Sequence, residues 1–295
     1  MRILPLALAA ILALPLPADL SENLEHMLSP TPTEVSAHGS LNNPSCTPSS
    51  EHPTPVVFIH GTAGNMDYFS YGADYLASQG YCVYSINYGR DNATILRLWP
   101  DDFATGDVFR STDEIAAFVD DVRARTGSDK VDLVGHSQGG MQIKSYISRL
   151  GNGDKVRRVV VMGGNIHGVP LDDSLQSQLI RYFPDAAALV AGRATVQQFA
   201  GSEQMNELNS YPDTVAGITY TSLFSPHDTT VAPNDVSYFA PESGANVVNL
   251  DAEVACPGSR PIAHENMPET PAMIKLTQWG LERAKDETEP PAGVC

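Results

Sequence analysis

The stretch Val156-Arg-Arg-Val-Val-Val-Met162 constrains the fold more than any other part of the chain. Its apolar residues fall on both faces of an extended segment. Such a strand is stable only inside a parallel sheet that is covered on both sides. Parallel neighbours need crossovers, so helices are expected between strands. The chain supplies that alternation. Residues 56–59, 81–86, 130–134, 217–224 and 246–250 read as further strands, and residues 68–78, 139–150 and 271–284 as helices. Ser111 with Glu114 three residues later reads as a capping box. It opens an apolar face of Ile115, Phe118, Val119 and Val122 that ends at Gly127. The expected fold class is α/β, with a mostly parallel, doubly wound sheet. Residues 168–212 break the alternation and read as a small cap inserted over the sheet.

One motif carries chemistry. Gly135-His-Ser-Gln-Gly139, followed by Gly140, matches G-x-S-x-G between an apolar strand and an amphipathic helix. A serine on a sharp strand-to-helix turn needs small flanking residues, and the turn projects its Oγ out of the sheet. The helix N-terminus behind it favours a developing oxyanion. Ser137 is therefore the candidate nucleophile. His60-Gly-Thr62 follows the first strand, where such a fold places a second oxyanion donor. The candidate donors are the backbone N–H groups of Thr62 and Gln138. His60, at a strand end, is read as structural. Gly61-Thr-Ala-Gly64 lacks the Gly-Lys-Ser/Thr of a phosphate cradle.

Four segments together carry a resemblance: Val56-Val-Phe-Ile-His-Gly-Thr62, Gly80-Tyr-Cys-Val-Tyr84, Val131-Asp-Leu-Val-Gly-His-Ser-Gln-Gly-Gly-Met141 and Asn165-Ile-His-Gly168. The chain resembles the secreted bacterial and fungal class 2 lipases of the α/β-hydrolase superfamily. The resemblance runs from about residue 44 to about residue 284. It implies hydrolysis of triacylglycerols or related carboxylic esters, with no cofactor.

The base and its orienting acid are expected after the serine, in the order acid then histidine. His264 lies in a loop after the last strand and before the final helix, the place of the matching histidine in the family. Asp228 follows the strand at residues 217–224, and Ser225-Pro-His-Asp-Thr-Thr-Val-Ala-Pro233 resembles the family's acid loop. Thr-Thr-Val stands where the family often has an acidic residue and Val-Val. Asp251 and Glu253 are rival acids. His167 precedes any acid and reads as structural or substrate-lining, and His227 reads as an exposed loop residue. Met66, Tyr68, Phe69, Met141 and residues 171–190 are candidates for an acyl pocket.

The ends of the chain point outward. Arg2 and the apolar run that follows read as a secretory signal peptide of about 18 residues. Residues 19–54 read as a pro-segment or surface arm, residues 55–285 as the catalytic domain and residues 286–295 as a tail. In an oxidising compartment four cysteines allow three disulfide pairings. Cys46–Cys82 with Cys256–Cys295 gives two local loops and is preferred. The resemblance supports the first bridge, because the family also has a cysteine before the first strand and one in the second. Asn92-Ala-Thr94 is an N-glycosylation pattern.

Charge narrows the partners. Eighteen Lys and Arg against 35 Asp and Glu give a net charge of −17, which repels phosphates and so excludes a nucleic-acid partner. The pairs His227-Asp228 and His264-Glu265 lack a third ligand in a fixed frame, so no metal site is expected. The expected partners are an acylglycerol or other ester and a lipid–water interface, and the expected state is a secreted monomer. A polyester hydrolase or an acyltransferase with the same triad, and a non-catalytic binding protein of the same fold, are the alternative functions.

Overall fold

Six strands form the sheet: β1 (Val56–Ile59), β2 (Val83–Ser85), β3 (Val131–His136), β4 (Val156–Met162), β5 (Thr219–Phe224) and β6 (Asn246–Asp251). They lie in the order β2-β1-β3-β4-β5-β6, and every pairing is parallel. Among the described residues the α-helices are α1 (Ser70–Ser78), α2 (Val108–Thr126), α3 (Gln138–Lys144), α4 (Leu175–Tyr182), α5 (Pro184–Ala191), α6 (Arg193–Gln197), α7 (Glu203–Leu208), α8 (Ala252–Ala255) and α9 (Pro271–Glu282). The computed structural model describes residues 39–91, 94, 101–242, 244–259 and 261–295. These belong to one unit, Thr33–Cys295. The expected signal peptide, most of the expected arm, and Asn92 lie outside the described residues.

Alternation along the strands feeds two apolar layers. Val57, Ile59, Leu133, Val159 and Val161 pack on one face with Ile115, Phe118, Val119 and Val122 of α2 and Ile143 of α3. Their neighbours Val56, Phe58, Val134, Val160 and Met162 pack on the other with Ala73 and Leu76 of α1 and Met273, Leu276 and Leu281 of α9. Both faces are covered, as a strand like β4 requires.

Strand order reverses at β1, with β2 on one side and β3 on the other. In open α/β sheets the crevice beyond the strand C-termini at such a reversal is the usual ligand site. Here that crevice is bordered by the residues after β1 and after β3, which are Gly61, Thr62 and Ser137.

Helix α1 starts at Ser70 rather than at residue 68 and α9 stops at Glu282 rather than at residue 284, and two other helices depart further from expectation. Helix α2 starts at Val108, and its cap is Asp107, whose side chain accepts from the Phe109 and Arg110 N–H groups at 3.1 Å. Ser111 lies inside the helix and donates back to the Asp107 carbonyl at 2.8 Å, while Glu114 accepts from the Gly89 N–H. Aspartate caps as well as serine, and the apolar residue Val108 extends the buried face one turn earlier. Helix α3 is shorter than residues 139–150 and passes into a π-helical turn, Ser145–Arg149.

Helices α4 to α7 occupy the stretch expected as a cap. Its foot is apolar: Ala194, Met205 and Leu208 pack on Val108 and Met141. Leu175, Tyr182, Phe183 and Leu189 are exposed. Directly after this stretch Asp213 meets Lys144, the last residue of α3, in a buried ion pair of 2.7 Å. Disulfides join Cys46 to Cys82 and Cys256 to Cys295. The tail is held a second time by Trp279, whose indole N–H donates to Glu287 at 2.9 Å. No helix among the described residues is long and apolar enough to cross a membrane.

Candidate active site

Ser137 sits between β3 and α3 with φ 57° and ψ −123°, a left-handed conformation that a serine holds only when its surroundings enforce it. They do. Its N–H donates to the Met162 carbonyl at 3.1 Å, and its own carbonyl accepts from the Gly140 and Asn165 N–H groups at 3.0 Å. The turn is tight because α3 lies against the end of β1. A Cβ on Gly139 would stand 2.1 Å from the Ile59 carbonyl oxygen.

His264 begins the 3-10 turn His264–Glu269 that leads to α9. Its Nδ1 donates to Asp228 Oδ2 at 2.7 Å. Asp228 Oδ1 accepts from the Thr230 and Val231 N–H groups, each at 2.8 Å, so both carboxylate oxygens are engaged. With Nδ1 as the donor, the neutral ring presents a lone pair at Nε2. That nitrogen is buried and has no hydrogen-bond partner.

Two further residues fix this pair. His136 donates from Nε2 to the His264 carbonyl at 2.9 Å, and the two rings lie 4.7 Å apart. Burial, helped by the neighbouring His264, holds the His136 ring down at about 3, so it is neutral. Gly163 has φ 51°, and a Cβ there would stand 2.9 Å from Asp228 Oδ2 and 3.2 Å from His264 Nδ1.

The two oxyanion candidates are linked through their side chains. Gln138 is the first residue of α3, so its N–H has no partner within the helix. Its side-chain amide donates to Thr62 Oγ1 at 2.8 Å and to the Ala104 carbonyl at 3.0 Å. Gln198, in the cap, pairs with the same Thr62 hydroxyl at 3.1–3.2 Å. These bonds draw the loop after β1 to the start of α3.

Ser137 and His264 open into one groove of about 810 Å³. Its cap wall is polar, with Ser174, Gln176, Ser177 and Gln198, and Tyr68, Val169 and Phe199 supply apolar surface. Of the acyl-pocket candidates, Met66, Phe69 and Met141 are corrected. Phe69 packs under α1, Met141 fills the cap's foot, and Met66 is buried beside Asn42. Tyr68 and the start of the segment at residues 171–190 do line the groove.

The remaining candidates stand elsewhere. His60 is fully buried, stacks on Tyr88 and donates to the Gly61 carbonyl at 2.9 Å. His167 lies 3.2 Å from Asp213. His227 is half exposed but pairs with Glu253 at 2.8 Å. Asp251 caps α8 through the Glu253 and Val254 N–H groups. The His264 ring therefore has Asp228 as its carboxylate, and neither rival. Among the described residues no group of His, Cys, Asp and Glu is arranged to hold a metal ion.

A family profile described as the alpha/beta hydrolase fold matches residues 54–215. The chain belongs to the alpha/beta hydrolase family. Triacylglycerol lipases of Pseudarthrobacter phenanthrenivorans and Burkholderia plantarii are each 32% identical over 132 residues, covering 42% of this chain and 37% and 33% of their own. The match thus spans about a third of the length of these curated relatives. Aspergillus fumigatus lipase B superposes with a TM-score of 0.63 at 19% identity, over 88% of this chain and 56% of that one, a likeness of fold.

In this member of the alpha/beta hydrolase family three supporting residues escape sequence reading. His136 is the variable position of the motif, and its partner lies 128 positions away. Gln198 belongs to a cap without strand periodicity. Glu253 is visible only as a carboxylate near His264 along the chain, a signal that suggests an acid rather than a support.

Proposed function

We propose that the chain is a serine hydrolase of carboxylic esters, with Ser137 as nucleophile, His264 as base and Asp228 as orienting acid. The observation that carries this reading is the buried His264–Asp228 pair at 2.7 Å, which leaves Nε2 unpartnered in the groove that holds the left-handed Ser137. Ser137 Oγ attacks the ester carbonyl as His264 Nε2 takes its proton. The tetrahedral oxyanion is held by the Thr62 and Gln138 N–H groups, each contributing about 3–4 kcal/mol. Its collapse expels the alcohol, which receives the proton from His264. Water, deprotonated by the same ring, then releases the acid and restores the serine. Asp228 holds the ring in its Nδ1–H form and stabilises the imidazolium.

Acylglycerols are the proposed substrates, supported by the lipase relatives. Secretion is proposed from the apolar leader and the two disulfides. The test is stoichiometric labelling by a serine-directed phosphonate with peptide mapping. Label is expected on Ser137 in the wild type and absent from Ser137→Ala. No label, or label elsewhere, overturns the mechanism. Hydrolysis of a triacylglycerol emulsion, water-soluble esters and solid polyester then ranks the substrates.

A further inference from the structure

Asp228 and His264 arrive on separate loops, after β5 and after β6. One carboxylate touches both. Glu253, on α8, accepts at Oε1 from the Ser225 hydroxyl at 2.7 Å and from the Ile262 N–H at 2.9 Å. Ser225 is three residues before Asp228, and its carbonyl accepts the Asp228 N–H at 3.1 Å. Ile262 is two residues before His264. His227 Nδ1, next to Asp228, lies 2.8 and 2.9 Å from the two Glu253 oxygens. Three donors from the two loops thus converge on one side chain.

The carboxylate is itself anchored. Asp251 caps α8, and Cys256, directly after α8, is bridged to Cys295. Burial raises the Glu253 carboxyl, but the Ile262, Ser225 and His227 hydrogen bonds outweigh it and hold the group below the usual carboxylate range. It is therefore ionised at neutral pH, and hydrogen bonds to an ionised acceptor are roughly twice as strong as neutral ones.

We propose that Glu253 is a positioning residue that sets the Asp228–His264 geometry by tying both loops to one carboxylate. The inference rests on the proposed roles of Ser137, His264 and Asp228. A misplacement of about 1 Å in such a constellation costs roughly a hundredfold in rate. Binding of the ester in the groove does not use Glu253, so the loss belongs in kcat.

The test compares wild type, Glu253→Ala, Glu253→Gln, Ser225→Ala and the Ser225→Ala/Glu253→Ala double variant in the full chain, by ester turnover and by the rate of phosphonate labelling. Glu253→Ala is expected to lower kcat and the labelling rate by about tenfold to a hundredfold, with KM within about twofold. Glu253→Gln keeps an Oε1 acceptor for Ser225 and Ile262, and is expected to restore activity to within about threefold of wild type. Ser225→Ala is expected to lower kcat several-fold alone and to add nothing to Glu253→Ala, because both cut one link. If Glu253→Ala does not fold, the Ser225→Ala and Glu253→Gln pair carries the same comparison. A Glu253→Ala enzyme with wild-type kcat, or independent effects of the two substitutions, overturns the inference and leaves the Ser137 reading intact. A wild type that neither turns over nor labels overturns that reading, and this inference with it.

Discussion

The ring of His136 donates a hydrogen bond to the main-chain carbonyl of His264 at 2.9 Å, so the residue before the candidate nucleophile holds the candidate base. The link joins the end of β3 to the loop before α9. It also ties the site to a ring that has to remain neutral.

That neutrality makes stability depend on pH. Burial holds His136 at about 3 and His60 at about 4. Both titrate near 6.5 in an unfolded chain. Between those folded values and about 6.5 the unfolded state binds more protons, so stability rises with pH and is lost on acidification. The unfolding free energy is expected to fall below about pH 6 by about 1.4 kcal/mol per pH unit for each ring. Urea denaturation at a series of pH values checks this. His136→Gln, which removes one of the two titrations, should roughly halve the slope.

Gly163→Ala should uncouple the acid from the base. The position has φ 51°, and the new methyl would lie 2.8 Å from Met267 Sδ and 2.9 Å from Asp228 Oδ2. The thioether can yield, but the carboxylate oxygen is the one that His264 holds. The backbone strain costs about 1–3 kcal/mol, and kcat should fall by more than tenfold with a folded circular dichroism spectrum. Unchanged kcat would show that the pair tolerates displacement.

Much of the sheet is legible from sequence because β1, β3 and β4 are apolar runs bounded by turn residues. The strand-turn-helix around Ser137 is legible for the same local reason. Order along the chain leaves Asp228, Asp251 and Glu253 as acids, the resemblance of residues 225–233 and of the His264 loop to the lipase family favours Asp228 and His264, and the fold brings those two side chains to 2.7 Å. Contacts between distant loops leave no such trace. Glu253 reaches Ser225 across 28 positions and Ile262 across nine, and nothing in a single sequence marks the meeting. Apolar periodicity marks burial but not the cavity faced, which is why Met66, Phe69 and Met141 read as acyl contacts and pack as core. The groove's polar wall comes from Ser174, which caps α4, from Gln176 and Ser177 within it and from Gln198 just after α6, all in the stretch that breaks the strand–helix alternation.

Asp213→Ala should destabilise the protein by about 3–5 kcal/mol, because it leaves the buried Lys144 ammonium uncompensated. Burial raises the Asp213 carboxyl, but hydrogen bonds from His167, Lys144 and Ala240 and the Lys144 charge hold it at about 2. A depressed acid contributes stability above its unfolded pKa near 3.9, and loses it as pH falls toward the folded value. Thermal melts at pH 7 should show the loss, and Lys144→Met in the Asp213→Ala background should recover part of it. Full stability of Asp213→Ala would mean that water reaches the ammonium.

Cys256→Ser should cost about 2–4 kcal/mol by freeing a loop of 39 residues. Because Cys256 directly follows the helix that carries Glu253, ester hydrolysis should be lost on heating before the bulk fold. Parallel heating curves of activity and circular dichroism decide it; coincident loss counts against a local role for the bridge.

The apolar foot of the cap has a consequence for how such a chain diversifies. Thr62, Ser137, Asp228 and His264 follow β1, β3, β5 and β6, whereas Ser174, Gln176 and Ser177 come from the span between β4 and β5. The proposed reacting atoms and the groove's polar wall are thus encoded on separate lengths of chain. Ala194, Met205 and Leu208 are the plug by which one is seated on the other. A different insert that kept those three side chains together with Gln198 and Asp213 would leave the proposed triad seated and reshape the groove, so selectivity can change in one piece without renegotiating the sheet.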